Sequence, residues 1–319
     1  MSSTPSAQGV HGHCRIVIDT CADLTPEVAA TLDVDILGFP YILDGVEYTD
    51  DIWSSITPKE FYDRLRGGCE ASTSAITLGR YVEYFECCAE EGTPTVYLGF
   101  TRGLSSSIDT ARSAAEQVRA AHPGFELYVI DNACPCSCAM LLAIEAVRQR
   151  AAGLTAQQLA EWADEAKYCV HGYFMVDSLD RLARGGRIPP AAAALSAKLD
   201  IKPEMSFDLA GSLTLLGVNR GRKKALKSLL KSVRDNYVLD PAMPMAIATA
   251  DADKEGDWLE GAIRKEPGCA DLNVIRSSVG PTIGCHVGPG MVAVCFWGKD
   301  RRENISLSDR IARKVRGAK

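Results

Sequence analysis

From Arg15 to about Tyr168 the chain alternates short β-type runs with helical stretches of 10 to 15 residues, and nothing else in the sequence constrains the fold as strongly. The runs are Arg15 to Ile18, Thr95 to Phe100 and Leu127 to Asp131, and the helical stretches include Leu78 to Glu91, Ser107 to Ala121 and Cys138 to Ala152. Parallel neighbours need a crossover of about a dozen residues, which a helix supplies, so this half is expected to form an α/β domain with helices on both sheet faces. Punctuation agrees. Thr25 before Pro26, Thr57 before Pro58 with Glu60 behind it, and Thr155 are N-cap signals, and Gly153 closes a helix. Two strand pieces around Leu37 and Tyr41 and a turn at Asp44 and Gly45 fill the interval. In such sheets ligands sit beyond the carboxyl ends of the strands, which nominates the polar loops after Ile18, before Leu78 and after Phe100.

The pattern changes after residue 168. A strand at Tyr173 to Val176, a helix from Leu179, a turn at Arg184 to Arg187 and an alanine-rich helix at Ala191 to Leu199 are followed by a hairpin, Met205 to Phe207 with Leu213 to Val218. A basic helix at Lys223 to Tyr237, a strand at Met245 to Thr249, a helix at Asp257 to Glu266 and a strand at Leu272 to Ser277 come next. A Gly/Pro-rich loop, Gly280 to Gly290, then leads into a last strand ending at Trp297. This half is expected to be a second, mixed α+β domain. The expected organisation is a disordered tail at 1–13, an α/β domain at 14–168, a mixed domain at 169–298 and a basic tail at 299–319 with an amphipathic helix near Ser306 to Val315.

Charge narrows the partners. With 35 Lys and Arg against 41 Asp and Glu, the formal charge of −6 gives no global attraction to nucleic acid or anionic membrane, so any anion must be held locally. No run approaches the ~18 apolar residues of a membrane span, and the first 13 residues lack a signal peptide's apolar core, so a cytoplasmic location is expected. Twelve cysteines are the compositional oddity. Without a secretory signal a disulfide framework is not expected, and the one-residue spacings of Cys134, Cys136 and Cys138 do not match the C-x2-C pairs of zinc sites. Small thiols packed as hydrophobes are the better reading.

Three loops offer chemistry: Ser72 to Ser74, Thr101 to Ser107, and Gly284 to Gly290. The first two are read as immediately preceding helices, where free N–H groups, the dipole and hydroxyl donors suit an anion, although simple N-capping accounts for either alone. His286 in the third could donate to a carboxylate or phosphate or act as a base. No G-x-S-x-G elbow, P-loop or G-x-G-x-x-G is present. Arg184 and Arg187 beside the glycine turn, and Arg220, Arg222 and the lysines up to Arg234, form a locally basic stretch. That stretch is either a solvated face or a docking patch for an acidic or phosphate-bearing partner.

At these residues the sequence resembles the DegV family of bacterial fatty-acid-binding proteins. The carriers, in order, are Ile18 to Leu24, Asp44 to Tyr48, Ser72 to Ser74, Gly103 to Ser105, Tyr173 to Leu179, Arg184 to Ile188, Asn219 to Lys224, and Gly280 to Gly290. Each is weak alone; their order over most of the chain is not. The resemblance implies a two-domain α/β architecture with a long-chain fatty acid in an apolar tunnel between the domains, its carboxylate held by Thr73, Ser105 and His286. Asp19, Thr20, Ser74, Thr101 and Arg102 are further head-group candidates in the neighbouring loops. It also implies a partner, a fatty acid kinase that brings the ATP site and phosphorylates the presented carboxylate, docking near Arg184, Arg187, Arg220 and Arg222. The chain itself is then a carrier with no catalytic residue, metal or cofactor.

The family's usual S-S before G-x-S is Thr101 and Arg102 here, and its L-S-G-T is Leu104 to Ser107, so a glycine is lost after Ser105 and a cation is gained beside the head-group loop. Cys21 and Cys285 fall inside the head-group loops, and Cys134 to Cys138 follow a strand end in an ordinary helix start. Burying a sixteen-carbon chain gains on the order of 12 kcal/mol at about 0.8 kcal/mol per CH2, before ordering costs, so the tail carries affinity and the head group fixes orientation. The alanines from Ala191 to Ala197 are expected to line the tunnel and admit a bulky chain. Two other readings stay open. One is a phosphotransferase or acyl hydrolase with His286 as base near Ser105; the other is a nucleic-acid-binding regulator working through Arg220 to Arg234.

Overall fold

The computed structural model describes residues 14–189 and 200–303. The expected disordered tail at 1–13, the tunnel-lining helix at Ala191 to Leu199 and the basic helix at Ser306 to Val315 lie outside the described residues.

Strands β1 (Arg15–Asp19), β2 (Asp35–Leu37), β6 (Thr95–Gly99) and β7 (Leu127–Asp131) form a parallel sheet in the order β2-β1-β6-β7. Its side chains alternate with period two, and both faces are covered. Ile16, Ile18, Val96 and Leu98 face helices α5 (Ser137–Ala151) and α6 (Ala156–Ala166), while Val17 and Tyr97 face α3 (Leu78–Glu91) and α4 (Ser107–Ala121). The cap signals act as expected. The Thr25 hydroxyl accepts from Val28 N (3.1 Å) to open α1 (Pro26–Thr31), Thr57 accepts from Glu60 N (3.2 Å) to open α2 (Pro58–Arg66), and Thr155 and Gln158 make a reciprocal capping box.

The second sheet is mixed. Strands β8 (Val170–Met175), β9 (Ile201–Phe207), β10 (Leu213–Arg220), β11 (Met245–Thr249), β12 (Val274–Ser278) and β13 (Val292–Trp297) lie in the order β10-β9-β8-β13-β11-β12, antiparallel except for the β11–β12 pair. Helices α8 (Arg222–Asn236) and α9 (Asp253–Ile263) cover the face bearing Met175, Val292, Val294 and Phe296. Helix α9 starts four residues before the expected Asp257. Its N-cap is Ala252, which has no capping side chain, so the sequence carries no start signal there. The opposite face, with Ala246, Cys295 and Trp297, packs on α5. Helix α5 therefore lies between the two sheets and is buried nearly all round. Cys138, Ala139, Ala143 and Ala146 along it are small enough for both sheets to approach.

A third, antiparallel sheet, β4-β3-β5, comprises β3 (Pro40–Leu43), β4 (Val46–Thr49) and β5 (Ala71–Thr73). Strand β5 corrects the expectation of a polar loop leading directly into a helix. Its residues are polar, but Thr73 pairs with Tyr41 across the sheet, and the cap of α3 is Thr77, whose hydroxyl accepts from Arg80 N. The expected loop at Gly280 to Gly290 is corrected too, because it contains a two-turn helix, α10 (Pro281–Val287), packed on α2, β3, β5 and the short α7 (Asp180–Arg184). Gly284 is what lets it sit there. A Cβ at that position would fall 2.7 Å from the Phe61 ring and 2.8 Å from the Tyr62 hydroxyl. Among the described residues no helix is long and apolar enough to cross a membrane.

Substituting Gly284→Ala is expected to destabilise the protein by about 1–3 kcal/mol through overpacking, despite alanine's better helix propensity. A denaturation midpoint equal to or above wild type would show that α10 is not seated by close contact with α2.

Candidate functional site

Where the three sheets meet lies a cavity of about 290 Å³, near the lower end of the range for small-molecule pockets. The inward face of the second sheet presents Gly172, Ala293 and Cys295 there, flanked by Phe174 and Phe207, and α5 contributes Cys136 and Cys138. Small side chains on the strand faces and on the helix opposite leave the space open. The cysteines that reach the cavity are thus not Cys21 and Cys285, which are buried in the surrounding core. Nor is the start of α5 ordinary, for its cap Cys136 holds φ 61° and ψ −150° with no side-chain capping bond. Burial pushes the Cys136 and Cys138 thiols well above their usual range, which makes them inert lining rather than nucleophiles.

One end of the cavity is polar. Strand β5 delivers Thr73 and the last turn of α10 delivers His286, with Thr73 Oγ1 and His286 Nε2 2.8 Å apart in a hydrogen bond. Ser105 comes from the loop before α4. Its hydroxyl accepts from Ser107 N (3.2 Å) and donates to Ser107 Oγ (3.1 Å). Arg187 lines the same end, its guanidinium donating to the carbonyls of Leu104 (3.1 Å) and Gly185. No carboxylate among the described residues pairs with it, and burial holds its pKa below the usual guanidinium value. Gly185 backs the histidine so closely that a Cβ there would lie 2.4 Å from His286 Nδ1. Burial first, and the Arg187 charge second, push the imidazole down to about 4, so it is neutral at physiological pH. The hydrogen-bonded partner of His286 is Thr73, not the Ser105 that an acyl-hydrolase arrangement would pair with it.

The other predicted residues are placed differently. Ser74 lines the cavity beside Thr73. Asp19 and Thr20 stand behind its wall: Asp19 accepts from Phe100 N (2.7 Å) and the Tyr97 hydroxyl (2.9 Å), and Thr20 accepts from Phe39 N (3.0 Å). They fix Phe39 and Phe100, an edge-on ring pair 5.9 Å apart that walls the cavity. Thr101 is buried in its loop, accepting from Gly103 N and donating to the Ala210 carbonyl. Arg102 points to solvent and pairs with Asp109 at 2.8 Å, so the cation gained beside Ser105 does not face the cavity. Of the docking candidates Arg184 and Arg220 are exposed, and Arg187 is the cavity residue just described. Arg222 is held by Asp177 (2.7 Å), Glu255 (2.7 Å) and the Gly290 carbonyl (3.0 Å).

Sequence reasoning assigned nothing to Asp23 or Asp50, yet both hold the start of α10. Asp23 accepts from Gly280 N at 2.8 Å, and Asp50 accepts from the Thr282 hydroxyl at 2.9 Å and from Thr282 N at 3.4 Å. Both are buried, and burial pushes their carboxyls up, Asp23 to about 8 and Asp50 to about 6. The only local signal was the acidic residue next to last in the Ile18 to Leu24 segment; Asp50 follows a strand in no motif at all.

Fold and cavity define an α/β protein with one parallel and one mixed sheet around a small-residue pocket that is apolar except at one end. The chain belongs to the DegV family, whose model matches residues 13–299. A DegV domain-containing protein of Clostridium perfringens, CPE0026, is 34% identical over 283 residues, covering 89% of this chain and 97% of its own. Among solved structures, a stearic-acid-binding protein from Eubacterium ventriosum is 26% identical with a TM-score of 0.77, covering 92% of this chain and 100% of its own. A fatty-acid-binding DegV family protein from Thermus thermophilus shares the fold with a TM-score of 0.78 at 22% identity, covering 90% of this chain and 99% of its own. Both of these solved proteins are fatty-acid-binding proteins.

The raised Asp23 pKa has a stability consequence with a definite sign. A carboxyl whose folded pKa lies above its unfolded value stabilises the fold at low pH and loses that contribution as pH rises toward the folded pKa. Asp23→Asn cannot titrate, so its stability relative to wild type should grow between about pH 4 and 8, by at most about 1.4 kcal/mol per pH unit. Chemical denaturation of both proteins across that range checks this, and a pH-independent difference would place the Asp23 carboxyl at an ordinary pKa.

Proposed function

We propose that the protein binds a long-chain fatty acid with its tail in the apolar cavity and its carboxylate at Thr73, Ser105 and His286, and presents that carboxylate to a fatty acid kinase in the cytoplasm. The observation that carries the reading is the asymmetry of the cavity. Its body is apolar, with small side chains flanked by Phe174 and Phe207, and its polar end combines hydroxyls, a neutral imidazole and an arginine that no carboxylate pairs with among the described residues. An amphiphile with a single anionic end matches that distribution, and the fatty-acid-binding proteins that share the fold support it. Ser105 engages Ser107 and leaves His286 to Thr73, which favours a binding role over acyl transfer. Of the arginines nominated for docking, Arg184 and Arg220 are exposed and available to an acidic partner surface, whereas Arg222 is committed to its two ion pairs.

Mass spectrometry of lipid released from the purified protein is the direct test, and recovery of no fatty acid would remove the reading. Thr73→Val and His286→Ala should each weaken binding about tenfold, the worth of one hydrogen bond to a charged group, without lowering the unfolding midpoint. Unchanged affinity in both would move the carboxylate elsewhere. An anion beside His286 favours the charged imidazole, so fatty-acid binding near pH 5.5 should take up protons, above the free pKa of about 4. Calorimetry in buffers of different ionisation enthalpy reads that uptake. For presentation, Arg184→Ala and Arg220→Ala should slow phosphorylation by a fatty acid kinase and leave the lipid content unchanged; equal rates would take the docking role from these arginines.

A further inference from the structure

Helix α10 carries His286, yet at seven residues it is too short to hold its own position, and its cap residue Gly280 supplies no side chain. Its N-terminal N–H groups are instead taken by two carboxylates from distant parts of the chain. Asp23, just after the first strand and its 3-10 turn, accepts from Gly280 N (2.8 Å), and Asp50, just after β4, accepts from Thr282 Oγ1 (2.9 Å) and Thr282 N (3.4 Å). Tyr62 adds a bond from its hydroxyl to the Val279 carbonyl at 2.6 Å. Thr282 and His286 are four residues apart, one helical turn on the same face, so a shift of the Asp50–Thr282 contact is carried into the Thr73–His286 contact.

Both carboxylates are buried, and among the described residues neither has a cation in salt-bridge range. Beyond Gly280 N, the side chain that meets the Asp23 carboxyl is the buried Cys136 thiol, a weak donor. Buried, unpaired acids are unfavourable for stability, and a hydroxyl or amide would satisfy an ordinary helix start. Two such acids converge on the one short helix that carries the cavity's imidazole. We infer that Asp23 and Asp50 are positioning residues of the head-group site, holding His286 against Thr73 through the first turn of α10 without touching the ligand. The inference rests on the proposed carboxylate site for its effect on binding, but its geometric content concerns the ligand-free protein.

The experiment is a double-mutant cycle in the full chain, with palmitic acid as the ligand and imidazole NMR of the ligand-free protein as a second readout. Asp50→Asn should weaken palmitate binding about three- to tenfold in the wild-type background and by less than twofold in the His286→Ala background, because its effect passes through the histidine. In ligand-free Asp50→Asn the His286 ring resonances should shift, while those of His171, held by the Lys299 carbonyl, stay in place. Asp23→Asn, which keeps an acceptor for Gly280 N and suits the left-handed backbone at that position (φ 50°), serves as a second variant should Asp50→Asn fold poorly. Unmoved His286 resonances, or an undiminished loss of affinity in the His286→Ala background, would overturn the inference. Failure of the wild-type protein to bind palmitate would overturn the binding reading instead, and the NMR comparison would still decide whether the acids position His286.

Discussion

The structure depends on a helix that is buried nearly all round. Helix α5 serves as floor to the parallel sheet and to the mixed sheet at once, so its side chains must satisfy two packing surfaces about one helix diameter apart. Cys138, Ala139, Ala143 and Ala146 are small for that reason. Where α5 begins, the same economy of volume leaves a gap. Cys136 and Cys138 on the helix oppose Gly172, Ala293 and Cys295 on the strands, and the space between them is the cavity. The abundance of cysteine thus has a packing explanation. Nine of the twelve are buried and all are free thiols, several of them where a larger side chain would close the cavity or part the sheets.

Electrostatics at the polar end follow from the same burial. The chain is acidic overall, yet the charged group that lines the cavity is Arg187, and the histidine beside it is kept neutral by desolvation and by that arginine. The carboxylates nearest in role, Asp19, Asp23 and Asp50, are turned away from the cavity and spent on backbone: Asp19 on the wall that carries Phe100, the other two on the start of α10. Among the described residues, acids are thus absent from the lining and stand behind it.

What the sequence made legible was local. Helices α3 and α4 and strand β7 have the expected bounds, because their periodicity is clean and, for α3, a threonine cap at Thr77 and a glycine stop at Gly92 mark the ends. Thr73, Ser105 and His286 were named from motif order, and all three line one end of one cavity. What stayed hidden was non-local. Strand β5 is polar and becomes a strand only by pairing with β3, and α10 looks like a loop because its one glycine, Gly284, serves close packing against Phe61 and Tyr62. The Asp50–Thr282 and Asp23–Gly280 contacts span 232 and 257 residues, beyond any window in which a pattern is visible. For a related reason the sequence does not separate the arginines: a basic cluster divides in three dimensions into exposed, ion-paired and cavity-facing members.

That division bears on how the proposed ligand would be held. Among the described residues the half-buried Arg187 guanidinium meets carbonyls and no carboxylate, an arrangement less stable than the same group facing an anion. A bound carboxylate would supply the missing charge, and the tail would fill space that packing left open, so ligand and fold are thermodynamically linked. On this reading affinity resides mostly in the tail, at about 0.8 kcal/mol per buried CH2, and the polar end determines which way round the molecule enters. Orientation is what a carrier needs if a second protein is to act on the head group. It also explains why so much of the chain, from Asp23 to Gly290, is spent on fixing a few polar atoms that contribute the smaller share of the binding energy.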